Sequence, residues 1–314
     1  MLVLKELEDP RLKDISPVIT IGNFDGVHLG HQKVVSQTIS LAKARETNSL
    51  VMTFAPHTRT LLNSKHPPTL LNTPSQKIEL IEKMGVDFLL MVDFTDEFSH
   101  TTPEEFVSSF LVDKLRIRGV CLSSKFRFGH QGKGDVQLLK RLGEVHGFEV
   151  VKVEKVYIGN RPVDSTRIRG LIREGRVEGA SLLLGREYFV DGRVTRGERR
   201  GVSLGYPTAN IQPENELLPG FGVYITRCFL RGDPLPSITS LGVRPTFGEN
   251  TPILETHILG FSQEIYGESI RLYFHKKLRD EKRFPHPDSL REQIRRDVGA
   301  TTEYFKKSKL QPQP

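Results

Sequence analysis

The first half of the chain alternates between strand-like and helix-like segments. Buried strand patterns end at Ile21 and Phe54 and recur at Val86–Phe94, Gly119–Leu122 and Phe148–Val156. Helix starts with capping residues lie between them, at Thr73-Pro74-Ser75-Gln76 and Thr102-Pro103-Glu104-Glu105. Strands that alternate with helices form right-handed crossovers, so we expect an α/β domain with a mainly parallel sheet. Ligands of such sheets bind at the carboxyl ends of the strands.

The second half has a different pattern, which begins after about Leu184. Short β-type runs, separated by Gly, Pro, Asn and Asp, lie at Tyr188–Val194, Gly222–Leu230, Ser237–Leu241, Leu254–Leu259 and Ser269–His275. This spacing is typical of an antiparallel barrel or sandwich. The charged amphipathic stretch from Ser289 to about Lys307 predicts one closing helix. We therefore expect two domains, 1–184 and 185–314, and 314 residues are enough for both.

The charge of the chain favours phosphorylated ligands. Lys and Arg number 45 and Asp and Glu 38, so the formal net charge is +7. No run of five or more basic residues is present, so nucleic-acid binding is only a weak alternative. The two cysteines, Cys121 and Cys228, suggest no disulfide framework. With no signal-peptide pattern and no apolar run long enough to span a bilayer, we expect a cytoplasmic protein without a membrane partner.

A glycine-rich turn, Gly22 to His31, connects the first long strand to a helix predicted over His31–Arg45. Its sequence is G-N-F-D-G-V-H-L-G-H. Backbone N–H groups and a helix N-terminus at such a turn favour a bound anion. We expect glycines 22, 26 and 30 to take positive φ and to let a phosphate approach closely. His28 and His31 are three residues apart and can face the same side as donors to a polyphosphate. They could also hold a metal, but no further zinc ligands accompany them.

This turn resembles a known signature. The dinucleotide fingerprint G-x-G-x-x-G is absent. The pattern G-x-F-D-G-x-H-x-G-H instead resembles the nucleotidyltransferase superfamily, and in its full form the bacterial bifunctional riboflavin kinase/FAD synthetase family. The resemblance implies a Rossmann-like adenylyltransferase domain at the N-terminus and a riboflavin kinase barrel at the C-terminus.

A second motif, Ser165-Thr166-Arg167-Ile168-Arg169, supports the resemblance. Taken alone, two hydroxyls followed by arginines are most simply a helix cap with a solvated basic face, although they could also cradle a polyphosphate. In the family, S-T-x-I-R is the phosphate-binding partner of H-x-G-H. The resemblance therefore implies that Ser165, Thr166 and Arg169 bind the phosphates of ATP.

The second half has its own glycine-rich basic loop, Gly192 to Gly205, which leads into Tyr206-Pro207-Thr208-Ala209-Asn210. The loop could be a solvated hairpin or a lid over phosphates. The hydroxyl of Thr208 and the amide oxygen of Asn210 are hard ligands of the kind that Mg²⁺ prefers. P-T-A-N is a hallmark of the riboflavin kinase module, as are the patterns around Leu218–Tyr224, Arg244–Phe247 and Glu255–His257. By this resemblance Glu255 is the catalytic base of the kinase.

The resemblance thus implies a bifunctional enzyme that phosphorylates riboflavin to FMN with ATP and then adenylylates FMN to FAD. The implied catalytic residues are Glu255, His28, His31 and Arg169. The implied nucleotide-binding residues are Gly22, Asn23, Phe24, Asp25, Gly26, Gly30, Ser165, Thr166, Gly192, Gly197 and Gly205. Lys125, Phe126, Phe128 and Pro207 are expected to contact flavin, and Thr208 and Asn210 to hold Mg²⁺. The implied partners are ATP, riboflavin and FMN; the sequence predicts no oligomeric state, and a monomer is compatible with it.

Four positions depart from the family pattern: Thr58, Lys125, Ser240 and Gly260. The family commonly has Pro, an acidic or amide residue, Asn and Asp there. These changes leave open a monofunctional enzyme with one degenerate site. A flavin carrier without activity and a basic nucleic-acid-binding protein, suggested by a pI near 9.3, are weaker alternatives.

Overall fold

A computed structural model describes residues 1–62, 67–197, 204–246 and 249–308. The chain divides into two compact units, Met1–Ser165 and Thr166–Pro314. The sequence pattern placed the boundary later, near Gly185. The structural boundary comes earlier because the helix Ser165–Arg173 is bonded to the second unit. The amide of Gly220, in that unit, donates to the carbonyl of Ile172 in the helix.

The strands of the first unit are β1 (Leu2–Leu4), β2 (Val18–Ile21), β3 (Ser49–Ala55), β4 (Phe88–Asp93), β5 (Gly119–Ser123), β6 (Arg127–Phe128), β7 (Gly134–Asp135), β8 (Glu149–Val153), β9 (Tyr157–Ile158) and β10 (Arg161–Pro162). Six of them form one sheet in the order β1-β4-β3-β2-β5-β8. Every neighbouring pair in it is parallel, as predicted. Strands β3 and β4 lie on one side of β2, and β5 and β8 lie on the other. The carboxyl end of β2 is therefore the switch point where ligands of such folds bind.

The helices of the first unit are α1 (Leu29–Ala44), α2 (Thr58–Leu62), α3 (Pro74–Glu82), α4 (Asp96–Ser99), α5 (Pro103–Glu105) and α6 (Val136–His146). The predicted capping box is present, since Thr73 Oγ1 accepts from the Gln76 amide while the Gln76 side chain accepts from the Thr73 amide. The helix predicted from Thr102 to Leu115 is only partly α-helical: α5 continues into a π-helical segment, Phe106–Lys114.

The second unit begins with helices α7 (Ser165–Arg173, whose first residue belongs to the first unit) and α8 (Val177–Leu184) and ends with α9 (Pro287–Ser308). Its strands are β11 (Tyr188–Thr195), β12 (Ala209–Pro213), β13 (Gly222–Leu230), β14 (Asp233–Thr246), β15 (Glu249–Ile258) and β16 (Ser269–Arg279). They close into an antiparallel barrel in the order β11-β12-β15-β14-β13-β16. The barrel alternative of the sequence prediction is therefore confirmed over the sandwich.

Helix α9 packs on the barrel through one ion pair and an aromatic cluster. The Arg279 guanidinium donates to the buried Asp297 carboxylate over 2.9 and 3.0 Å. The ring of His275 lies 5.3 Å from that of Phe305 and 5.7 Å from that of Tyr304. Because this cluster buries the imidazole, it lowers the pKa of His275; the Arg227 charge acts in the same direction and Glu187, 3.5 Å away, opposes it.

We expect the second unit to lose stability in mild acid because of His275. The unfolded chain takes up a proton near its ordinary pKa of about 6.5, before the folded chain does. Stability is therefore full above that pH and falls as the pH drops toward the lowered folded pKa, by at most about 1.4 kcal/mol per pH unit. Urea unfolding of the barrel at pH 7 and pH 5.5 measures the loss. His275→Phe should remove this part of the pH dependence, and an unchanged dependence in that variant would contradict the assignment.

Candidate active sites

The two histidines of the glycine-rich turn lie together at the start of α1. Helix α1 begins at Leu29, two residues earlier than predicted, and His28 is its N-cap residue. His28 Nδ1 accepts from the amide of His31 at 3.3 Å, and the two rings stack with centroids 3.6 Å apart. An accepting Nδ1 places the proton of the neutral ring on Nε2. His28 can therefore donate to an anion while it caps the helix.

Only one of the three glycines has the predicted positive φ. Gly26 has φ +89°, whereas Gly22 and Gly30 do not lie in that region. Gly30 is needed for another reason: a Cβ there would lie 3.1 Å from the His28 ring. Two residues with side chains, Phe24 at φ 47° and Val27 at φ 39°, take the left-handed conformation instead. Such strain persists where surrounding contacts fix a loop, and it is common at binding sites.

Asn23 ties the glycine-rich turn to the start of α2. Its Nδ2 donates to Thr58 Oγ1 over 2.9 Å, and its Oδ1 accepts from the Thr58 amide over 3.2 Å. A proline has neither an N–H nor a hydroxyl, so the residue common in the family could not make either bond. The departure at Thr58 is thus accommodated by two hydrogen bonds to Asn23.

Replacing Thr58 with Pro should destabilise the first unit. Two neutral hydrogen bonds to Asn23 are lost, which corresponds to about 1–2 kcal/mol, whereas proline itself is tolerated at the first position of a helix. Thr58→Ala keeps the amide donor and should lose about half as much. Urea unfolding of the first unit measures the order wild type, Ala, Pro; equal stability of the three proteins would show that these bonds contribute nothing.

Asp25 fixes the glycine-rich turn through two hydrogen bonds. Its buried carboxylate accepts from the Leu71 amide at 2.9 Å, and its carbonyl accepts from the Ser165 hydroxyl at 2.9 Å. Lys77 is also buried; burial lowers its pKa and the Asp25 charge opposes that shift. The sequence placed Asp25 and Ser165 among the nucleotide-binding residues, and the structure shows that both also join the two motifs through this bond.

An aromatic cavity of about 350 Å³ opens at the carboxyl edge of the sheet beside this turn. Ile21, at the end of β2, and Thr58 form part of its wall. Phe126 and Phe128, both predicted to contact flavin, form another part, with ring planes 16° apart. Four further phenylalanines, which the sequence analysis did not assign to the site, complete the wall: Phe54, Phe94, Phe98 and Phe106. Two of them stand at or just beyond the carboxyl ends of β3 and β4, a position that could have identified them.

Lys125 does not line the aromatic cavity. It lines a neighbouring cavity of about 410 Å³, to which Phe126 and Arg127 also belong. Lys125 lies in the turn before β6, and its contact with flavin stays a prediction from the sequence.

Thr166 and Arg169 lie on α7 in the second unit. Arg169 is buried, with 7% of its surface exposed. Their predicted contacts to phosphate rest on the sequence motif alone.

The barrel has a cavity of about 380 Å³ next to the P-T-A-N segment. Pro207 and Thr208 line it together with Phe261 and Tyr266, which the sequence analysis did not select. His257 Nδ1 lies 2.8 Å from the Pro207 carbonyl oxygen and donates to it, so β15 fixes the position of this segment. Phe261 follows Gly260, whose φ of +69° suits glycine at this turn.

Asn210 and Glu255 face each other across β12 and β15. They are directly opposite in the antiparallel register, and Ser240 on β14 is opposite Glu255 on its other side. Residues so paired share one face of the sheet with Cβ atoms about 5 Å apart. Thr256, the next residue, is buried in the barrel and lies on the other face. The structure thus brings a carboxylate and two neutral polar side chains together, as the sequence prediction requires for Glu255 and Asn210.

Three glycines of the predicted lid have different environments. Gly192 lies inside β11, not in a loop, and a Cβ there would approach the Gln212 carbonyl to 2.6 Å. The predicted loop therefore does not begin at Gly192, where close packing against β12 requires glycine. The role of Gly192 in nucleotide binding stays a prediction. Gly197 packs against the Asn210 side chain, where a Cβ would be 2.0 Å from Nδ2. Gly205 has φ +82°. The rest of the loop, 198–203, and Phe247 lie outside the described residues.

Within the described part of the chain, no helix is long and apolar enough to cross a membrane. In the same part, no group of three or more His, Cys, Asp or Glu side chains is placed to hold a metal ion. A metal site built on Thr208 and Asn210 would use neutral oxygens and would not appear in such a search.

Comparison with known proteins assigns both units. The family described as FAD synthetase matches residues 12–167, and the family described as riboflavin kinase matches residues 184–305. A bifunctional riboflavin kinase/FMN adenylyltransferase from Buchnera aphidicola is 33% identical over 97% of this chain and 99% of its own length. The protein of that name from Escherichia coli is 34% identical over 92% of each chain.

One solved structure shares the whole two-unit fold. It is described as a macrolide-efflux protein from Streptococcus pneumoniae and superimposes with a TM-score of 0.88, 28% sequence identity and coverage of 96% of this chain and 99% of its own. That description concerns the other protein, and it differs from the names of the relatives above. Since full-length relatives and both family matches agree, the chain belongs to the bifunctional riboflavin kinase/FMN adenylyltransferase family.

Proposed function

We propose that this protein phosphorylates riboflavin to FMN in its second unit and adenylylates FMN to FAD in its first. One observation carries the proposal most strongly: each unit combines a cavity large enough for a flavin ring with an adjacent phosphate-type loop. The aromatic cavity meets the histidine turn through Ile21 and Thr58, and the barrel cavity meets the P-T-A-N segment through Pro207 and Thr208.

In the kinase reaction, Glu255 accepts the proton of the riboflavin 5′-hydroxyl. The hydroxyl oxygen attacks the γ-phosphorus of ATP, and ADP leaves. Glu255 is half-buried and on the same face as Asn210, so the base and a polar ligand lie side by side. Glu255 is not part of the cavity wall, so the proposal requires the 5′-hydroxyl of riboflavin to lie outside the cavity.

Magnesium fits the residues of this site. The Thr208 hydroxyl and the Asn210 amide oxygen are hard neutral ligands on one short segment that His257 holds in place. Mg²⁺ is commonly bound by one or two protein oxygens together with substrate phosphates and water. When bound, it neutralises charge on the transferring phosphoryl group.

In the adenylyl transfer, an FMN phosphate oxygen attacks the α-phosphorus of ATP, and pyrophosphate leaves. His28 donates from Nε2 to the phosphate oxygens, and the N-terminus of α1 stabilises the same charge. His31, stacked on His28, supports its orientation. The phosphate contacts of Thr166 and Arg169 stay a prediction from the sequence motif. No covalent enzyme intermediate is required.

Both activities can be measured in one experiment. Purified protein is incubated with riboflavin, ATP and Mg²⁺, and the products are separated by chromatography. We expect FMN first and FAD later, and FAD directly when FMN is supplied. If only FMN forms, the protein has the kinase activity but not the adenylyltransferase activity. If FAD forms only from supplied FMN, the protein has the adenylyltransferase activity but not the kinase activity. If neither product forms, the proposal is wrong.

We also propose a cytoplasmic location. Cys121 and Cys228 are free thiols buried in the structure, which suits a reducing compartment. The proposed chemistry requires only small-molecule substrates: ATP, riboflavin and FMN.

A further inference from the structure

The cavity that contains Lys125 is a positively charged concave surface. Four cationic side chains line it, Lys125, Arg127, Lys140 and Lys152, with one carboxylate, Asp135. It shares Phe126 and Arg127 with the aromatic cavity, and none of the glycine-turn residues forms its wall.

The acidic groups around this cavity are already engaged. Asp135 caps α6 by accepting from the amides of Gln137 and Leu138, and it pairs with Arg127 at 3.2 Å. Glu154 pairs with Lys152 at 3.0 Å. Lys125 and Lys140 are exposed, and neither has an ion-pair partner among the described residues. Two unneutralised ammonium groups therefore face the same cavity.

A third lysine is held next to Lys125. Partial desolvation, together with the nearby ammonium group of Lys125, lowers the pKa of Lys155, and Asp164 opposes this shift. Two ammonium groups side by side repel each other, and an anion between them would remove that repulsion. The sequence favours the same conclusion, since the family commonly has an acidic or amide residue where this chain has Lys125.

We propose that this cavity, referred to below as the Lys125 cavity, binds a pyrophosphate group, either as free pyrophosphate or as the diphosphate of a nucleotide. Its volume of about 410 Å³ exceeds what a single phosphate needs. Lys125 and Lys140 supply two positive charges for two linked phosphates, and the Ser124 hydroxyl and Gln137 amide in the same wall add neutral donors. Phe126 offers an aromatic wall on which the base of a nucleotide could stack.

Titration of the full-length protein with inorganic pyrophosphate, followed by calorimetry, tests the site. We expect wild type to bind one equivalent in the Lys125 cavity in addition to those bound at the ATP-binding loops of the two units. The variant Lys125→Ala/Lys140→Ala should lose this additional equivalent or bind it at least tenfold more weakly. Lys133→Ala, an exposed lysine of the same segment that lines neither cavity, is the matched control and should retain it. All these changes are at exposed side chains of the first unit, and urea unfolding of that unit checks that each variant is folded.

A second arm distinguishes the sources of the pyrophosphate group. ADP is titrated in the same way: an affinity for the Lys125 cavity well above that of free pyrophosphate assigns the site to nucleotides, and a lower one assigns it to the inorganic ion. Equal binding of pyrophosphate by wild type and the double variant would overturn the proposal. Tighter binding of a short DNA duplex, lost in the same variant, would also overturn it and assign the surface to nucleic acid.

Discussion

Glu255→Ala should abolish the formation of FMN from riboflavin. Without the carboxylate, no group opposite Asn210 can accept the proton of the 5′-hydroxyl as it attacks ATP. General-base catalysis of this kind contributes about 10²–10⁴-fold to a rate, so kcat for FMN formation should fall by that factor. Glu255→Gln retains the shape and polarity of the side chain and should lose nearly as much, because an amide cannot accept the proton.

The bifunctional chain provides its own control for this experiment. Formation of FAD from supplied FMN takes place in the first unit and should be unchanged in both Glu255 variants. Ser240→Ala is the matched substitution, since Ser240 is the other neighbour of Glu255 in the barrel register; it should lower kcat far less than the loss of Glu255. FMN formation at the wild-type rate in Glu255→Ala would show that another group is the base.

Local chemistry allowed much of the fold to be predicted. The caps at Thr73 and Thr102 each determine where a helix begins, and both are as expected. The parallel sheet followed from strands that alternate with helices. Signals that act within one turn of chain can be recognised in a single sequence.

Features set by packing could not be predicted in this way. Strand β12 follows Pro207 closely and ends at Pro213, so its sequence resembles a turn. Only its pairing with β11 and β15 makes it a strand. The continuation of α5 into a π-helix at Phe106 likewise has no local signal. The sequence predicted positive φ for Gly22, Gly26 and Gly30, but only Gly26 adopts it, and Phe24 and Val27 do so instead. Residue type alone therefore does not determine which residues of this turn take that conformation.

In the candidate sites, too, local motifs could be predicted from the sequence and long-range contacts could not. Motifs predicted His28, Glu255 and Asn210 as site residues, and the structure places Asn210 opposite Glu255. Their catalytic roles stay predictions. The bonds between Asn23 and Thr58 connect residues far apart in sequence, and nothing in either segment predicts them. That Lys125 lines a neighbouring cavity and not the aromatic one likewise has no signal in the sequence around it.

His28→Asn should remove FAD formation and leave the fold intact. Asparagine is among the best N-cap residues, so its side-chain oxygen can replace Nδ1 as acceptor for the His31 amide. It cannot replace the Nε2 donor, which lies farther from the backbone. Loss of one such donor to a phosphate in the transition state corresponds to about 10²–10³-fold in kcat.

His28→Ala separates the catalytic role from the capping role. It should lose FAD formation to the same extent and, in addition, about 1 kcal/mol of stability of the first unit, because the cap is also removed. Rates of FAD formation from supplied FMN, FMN formation from riboflavin and urea unfolding are measured for both variants. FMN formation should stay at the wild-type level throughout. If His28→Asn kept full FAD formation while His28→Ala lost it together with stability, His28 would be a helix cap only, and the phosphate donor would have to be sought elsewhere on the turn.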